Sequence, residues 1–176
     1  GVSVWDIGPP QTVQMTRTNF RGNSNDNIPD GGPNDGTDLD DGSAINVRDG
    51  DAPTIIVQES TIENNGGSAA GSAIKTSGAN LTLRQSTIQQ NSGTAIDNTG
   101  ALTIEDSTIR GNTGDLAGAI RNTGSGSLNL FATVIVDNTG GIYNSSGGSV
   151  TATETCFATN GDSFVQASST SVNLTN

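Results

Sequence analysis

Ala101–Asn112, ALTIEDSTIRGN, is one copy of a pattern that recurs along the whole chain. Its Ile109 aligns with Phe20, Ile62, Ile88, Ile135 and Phe157. Three residues after each of these stands an asparagine: Asn23, Asn65, Asn91, Asn112, Asn138 and Asn160. Two residues before each stands a hydroxyl: Thr18, Ser60, Ser86, Ser107, Thr133 or Thr155. Upstream run two more apolar columns, Met15, Val57, Leu83, Ile104, Leu130, Ala152 and Val13, Ile55, Leu81, Leu102, Leu128, Val150. Downstream, the segments SAIN, SAIK, TAID, GAIR, GGIY and DSFV contribute Ile45, Ile74, Ile96, Ile120, Ile142 and Phe164.

From Ile62 onward successive copies are 26, 21, 26 and 22 residues apart, a period that marks a solenoid. Within a copy, apolar and polar residues alternate, as in Leu81-Thr82-Leu83 and Leu102-Thr103-Ile104, which is the period of a strand. Gly, Asn, Asp and Ser punctuate the segment boundaries. The pattern predicts an all-β, single-domain, right-handed parallel β-helix of about six coils, each with three short strands. One coil cannot bury its own inward side chains, but coils stacked about 4.8 Å apart bury continuous Ile, Leu and Val columns. The asparagine column is expected at a tight corner, with Asn in the left-handed backbone conformation and its amide bonded to the Asn above and below.

Composition agrees with a rod. Aromatic residues make up 3% and apolar residues 31% of the chain, too few for a globular core of ordinary pattern, yet nearly all fall in register. The net charge is −11, with no histidine and seven Lys plus Arg, so a phosphate-binding surface would lack its main attraction and nucleic acid is not expected as a partner. No apolar run reaches the roughly 20 residues that cross a bilayer as a helix. The single cysteine, Cys156, has no intrachain partner; it falls in the outward slot that Thr61, Thr87 and Thr108 fill.

Residues 1–11 read as an N-terminal strand, a cap or an intersubunit segment, and residues 12–176 as the β-helix with an acidic insertion at 23–51. The insertion carries Asp26, Asp30, Asp35, Asp38, Asp40, Asp41, Asp49 and Asp51 against Arg48 alone. Its carboxylates repel unless they are solvated or hold cations. Calcium is the cation they suit, because it takes six to eight oxygens, and Asp35, Asp38, Asp40 and Asp41 lie close enough in sequence to supply several. The other reading is a solvated acidic loop. SVNLTN at the end of the chain repeats SVTA and SLNL at an offset of 22 residues, so the chain stops inside a new coil. Val2, Val4 and Trp5 at the start, with Val172 and Leu174 at the end, are expected to be the contact residues of a head-to-tail homopolymer. The competing reading is a rod excised from a larger protein.

Catalysis is not expected. Glu59, Glu63, Asp97, Glu105 and Asp106 project outward and invite comparison with glycoside hydrolases. However, with no histidine and Lys75 as the sole lysine, no coil gathers acid, base and aromatic sugar platform. Partial outward rows of threonine (Thr82, Thr103, Thr151; Thr61, Thr87, Thr108) are interrupted by Ile56, Asn129, Val134 and Cys156 and suit ordinary strand propensity. Asn80, Asn144 and Asn173 fit the N-glycosylation pattern.

The segments GAIRN at Gly118, GGIYN at Gly140, FRGN at Phe20 and FATN at Phe157 resemble the GGA(I/L/V) and FxxN repeats of polymorphic outer-membrane proteins. The wider LTIxxSTIxxN pattern is similar to that of large bacterial surface and secreted β-helix proteins. The resemblance spans residues 12 to 165 and implies an extracellular or cell-surface, non-catalytic setting, as in adhesins, autotransporter passengers and stalks. The function expected is that of a structural subunit of a surface filament or fibrous layer, stabilised by calcium. The alternatives are an adhesin or carbohydrate-binding rod, with surface polysaccharide as partner, and, more remotely, a polysaccharide lyase or hydrolase.

Overall fold

The computed structural model describes residues 1–5, 11–23, 44–48, 52–66, 71–115, 117–166 and 171–175; at 3–5, 48, 163–166 and 171–172 only the backbone is described. Among these residues every regular element is a strand. The first are β1 (Val2–Trp5), β2 (Thr12–Thr16), β3 (Asn19–Arg21), β4 (Ile45–Arg48), β5 (Thr54–Gln58), β6 (Thr61–Glu63) and β7 (Ser72–Ser77). There follow β8 (Asn80–Arg84), β9 (Thr87–Gln89), β10 (Thr94–Asn98), β11 (Ala101–Glu105), β12 (Thr108–Arg110), β13 (Ile120–Asn122) and β14 (Ser127–Phe131). The last are β15 (Val134–Val136), β16 (Gly140–Asn144), β17 (Ser149–Thr153), β18 (Cys156–Ala158), β19 (Asp162–Gln166) and β20 (Ser171–Thr175).

The strands form three parallel sheets, and the chain visits them in turn. Sheet A runs β1-β4-β7-β10-β13-β16-β19, sheet B runs β2-β5-β8-β11-β14-β17-β20, and sheet C runs β3-β6-β9-β12-β15-β18. This is a parallel β-solenoid. Every named pairing is parallel, so the unit that repeats along the axis is one strand from each sheet.

The apolar columns read from the sequence are the pairing registers. Leu81, Leu102 and Leu128 are Cα partners in sheet B, as are Leu83, Ile104 and Leu130. Ile88, Ile109 and Ile135 are partners in sheet C, and Ile74, Ile96 and Ile120 in sheet A. These residues are fully or almost fully buried. The alternation of burial along β5 and β11 follows from the two-residue period of the strand. Each buried Leu or Ile contributes about 1.5–3 kcal/mol relative to exposure. The core thins in the outer layers: Val13, Met15 and Phe157 are only partly buried, and Leu174 is 59% exposed.

Two corners carry a left-handed residue in every layer, and the corner after sheet A adds Ala52, Gly78, Gly124, Ser146 and Gly147. One corner follows the sheet B strands, at Arg17, Glu59, Gln85, Asp106, Ala132 and Glu154; the other follows the sheet C strands, at Gly22, Asn64, Gln90, Gly111, Asp137 and Thr159. The ladder asparagines were expected to hold that conformation themselves, but the bend falls one residue earlier. The reason is geometric. The backbone N–H of each ladder Asn must point along the stacking axis to reach the side chain of the next layer, as Asn91 N does to Asn112 Oδ1 at 3.0 Å. The preceding residue therefore takes the turn.

Candidate functional site

The corner after sheet C is the most regular polar structure in the molecule. Asn23, Asn65, Asn91, Asn112, Asn138 and Asn160 form one continuous ladder in which each Nδ2 donates to the next Oδ1, at 2.8, 3.0, 2.9, 2.9 and 3.0 Å. The same Oδ1 also accepts the backbone N–H of the preceding layer's Asn. From Asn65 onward, the second Nδ2 hydrogen bonds a carbonyl of the layer before: Phe20, Ile62, Ile88, Ile109 and Ile135. Asn65, Asn91, Asn112 and Asn138 are buried, and burying an amide is tolerable because its hydrogen-bonding capacity is met.

The corner after sheet B is held by the hydroxyl column. Ser60, Ser86 and Ser107 accept the backbone N–H of Thr18, Ser60 and Ser86, respectively. Each donates its proton to the carbonyl two residues back, at 2.6–2.7 Å. Non-glycine residues in the left-handed region cost about 1–3 kcal/mol each and persist only where neighbours over-determine them. The hydroxyl and asparagine ladders supply that determination at the residue immediately following each bend.

A second asparagine ladder, not foreseen from sequence, runs at the corner after sheet A. Thr76 Oγ1 donates to Asn98 Oδ1 at 2.7 Å, Asn98 Nδ2 to Asn122 Oδ1 at 2.8 Å, and Asn122 Nδ2 to Asn144 Oδ1 at 2.8 Å. Glycines make room for it: a Cβ on Gly126 would lie 2.6 Å from Asn122 Oδ1, and one on Gly148 would lie 2.5 Å from Asn144 Oδ1. The signal was present as an Asn two residues after Ile96, Ile120 and Ile142, but Val47 and Thr76 occupy the same column.

Outward carboxylates are tied to arginines of the neighbouring layer. Arg17 Nε meets Glu59 Oε2 at 2.6 Å, Arg84 meets Glu105 at 2.8 Å, and Arg21 lies 3.6 Å from Glu63. Glu63 also accepts from Gln89, whose Oε1 accepts two hydrogen bonds from Arg110. The hydrogen bond and charge of Glu59 raise the already high pKa of Arg17. The strongest pair is on sheet A, where Arg121 grips Asp97 with Nε–Oδ1 at 2.9 Å and Nη2–Oδ2 at 2.5 Å. Asp97 is only 5% exposed. This pair belongs to a polar row of Cα partners, Asn46, Lys75, Asp97, Arg121 and Tyr143, one per layer. Four of the carboxylates considered as catalytic candidates, Glu59, Glu63, Asp97 and Glu105, thus make bonds between layers.

The remaining expected sites fall as follows. Asp35, Asp38, Asp40 and Asp41, with the rest of the acidic insertion except Asn23 and residues 44–48, lie outside the described residues. Among the described residues no group of three or more His, Cys, Asp and Glu side chains is arranged to hold a metal ion. Val2 and Leu174 are exposed in outer strands, and the side chains of Val4, Trp5 and Val172 lie outside the described set. Cys156 is exposed beside Val134 in the sheet C register. Of the glycosylation-pattern asparagines, Asn144 is buried in the second ladder, whereas Asn80 and Asn173 are exposed. No described helix is long and apolar enough to cross a membrane.

The architecture and its ladders define a parallel β-solenoid stabilised by stacked polar side chains. Comparison with models of known protein families, with curated proteins and with solved structures gave no match.

Proposed function

We propose that the chain is a non-enzymatic structural β-solenoid of an extracellular filament or fibrous surface layer. In this reading it coils right-handed through about six turns, with the acidic insertion projecting from the rod and holding calcium. The role is of the kind implied by the surface β-helix repeats that the chain resembles. The observation that carries it is the directional ladder: each layer offers the next the same carboxamide, hydroxyl and backbone groups, so a further layer of the same kind can be added without new chemistry. The carboxylate–arginine pairs support it too, because they use outward charge to join layers.

Assembly would proceed by stacking strand edges, which are templates for pairing. Among the described strands, β1, β2 and β3 are outermost on one side and β19, β20 and β18 on the other. Laid end to end in phase, two copies would bring β19 beside the next β1 and β20 beside the next β2.

Negative-stain imaging with light scattering, with and without added calcium, tests the reading. Filaments that lengthen with calcium are expected. Short monodisperse rods in both conditions would refute self-assembly and favour a rod that displays binding surfaces.

A further inference from the structure

The polar row on sheet A contains an arrangement that the stacking scheme leaves unexplained. Asn46 of β4 is 4% exposed, and its Oδ1 is buried without a hydrogen-bond partner. An unsatisfied buried polar atom costs about 1–3 kcal/mol, and every other buried side-chain nitrogen and oxygen among the described residues has a partner. The Cα partner of Asn46 is Lys75, the only lysine in the chain. On the other side of Lys75 in the same row is Asp97, oriented by the two bonds from Arg121. An amide, a primary amine and a carboxylate thus stand on three consecutive strands, about 4.8 Å apart from one to the next.

We propose that Lys75 and Asn46 form an intramolecular isopeptide bond, with Asp97 as the proton carrier. The flexible four-carbon stem of lysine spans the gap to an adjacent strand. Asp97 takes a proton from the Lys75 ammonium, and the freed Nζ lone pair adds to Asn46 Cγ. Asp97 passes that proton to Nδ2, takes the second proton from the now amide-forming Nζ and passes it on as the Cγ–Nδ2 bond breaks, so that the nitrogen leaves as ammonium and Asp97 returns to its carboxylate form. Atoms and charge balance without an oxidant, a cofactor or an external reagent. Register places Lys75 and Asn46 side by side on adjacent strands, which is what converts a slow bimolecular aminolysis into an intramolecular one. Burial of Asn46 limits competing hydrolysis. The product covalently joins β4 to β7 and replaces the primary amide of Asn46 with a secondary one.

Intact-mass spectrometry of the folded full chain, followed by tryptic mapping, tests the proposal. The wild type is expected to be lighter than its sequence by the mass of one ammonia, with residues 22–48 linked to residues 49–84 because cleavage at Lys75 is blocked. Lys75→Arg keeps the charge and is expected to restore the full mass, and Asp97→Asn to slow bond formation at least tenfold. An unmodified mass in the folded wild type would overturn the proposal. So would a deficit that persists in Lys75→Arg, since that places the ammonia loss in a succinimide or elsewhere. If Asp97→Asn fails to fold, the comparison of wild type with Lys75→Arg decides alone.

Discussion

Two corners of the same solenoid solve the same problem differently. After sheet C, an asparagine occupies every layer from Asn23 to Asn160, and from Asn65 onward each carboxamide oxygen accepts both a side-chain and a backbone N–H from its neighbour. After sheet A, the stacked asparagines among the described side chains are Asn98, Asn122 and Asn144, with Thr76 as the terminal donor and Val47 beyond it. The carbonyls that cap this second ladder are local, such as Gly126 O for Asn122 and Gly148 O for Asn144. The difference lies in the backbone. Where one Asn side chain accepts a buried main-chain N–H while its Nδ2 donates both to the next Oδ1 and to a carbonyl, a hydroxyl or an aliphatic residue cannot replace it, so the column is uniform. Where it satisfies mainly other side chains, Thr or Val can end the row.

The largest effect should therefore come from the first corner. Asn112→Ala would leave Asn91 N, Asn91 Nδ2 and Asn138 Oδ1 short of partners, and a loss of about 3 kcal/mol is expected in urea denaturation. Asn122→Ala should cost less, about 1.5 kcal/mol, because the donor it leaves short is the side-chain Nδ2 of Asn98, which retains Gly100 O, whereas Asn112→Ala also strands the main-chain N–H of Asn91. Equal losses at the two positions would erase the proposed distinction. Arg121→Ala, which strands the buried Asp97 carboxylate, is expected to cost about 1 kcal/mol after allowance for the exposure of Arg121. Arg17→Ala removes an exposed pair, and no measurable change in the denaturation midpoint is expected.

The same contrast explains what the sequence made legible. The four apolar columns and the first asparagine column hold one chemical class per layer, so alignment of ALTIEDSTIRGN with its relatives places them in register without a structure. The second ladder was hidden because its column mixes Val47, Thr76 and three asparagines. The Asp97–Arg121 pair was hidden for another reason: partners 24 residues apart become neighbours only once the sheet A register is known. The orphaned Asn46 oxygen likewise depends on burial, which alternation alone does not give, since an outward position in a strand is ordinarily exposed. Outside Asn23 and SAIN the acidic insertion has no repeat to anchor it, and its aspartates can be read only as a charge-dense stretch.

Backbone hydrogen exchange at the first corner tests most directly the claim that the asparagine ladder is the spine of the rod. The N–H groups of Asn65, Asn91, Asn112 and Asn138, which donate to side-chain oxygens rather than to other backbone groups, should exchange as slowly as those of Ile88, Ile104 and Ile109 in the core strands. If they exchange as fast as the exposed turn at Ser125, the ladder is not what holds the layers together, and the account built on it fails.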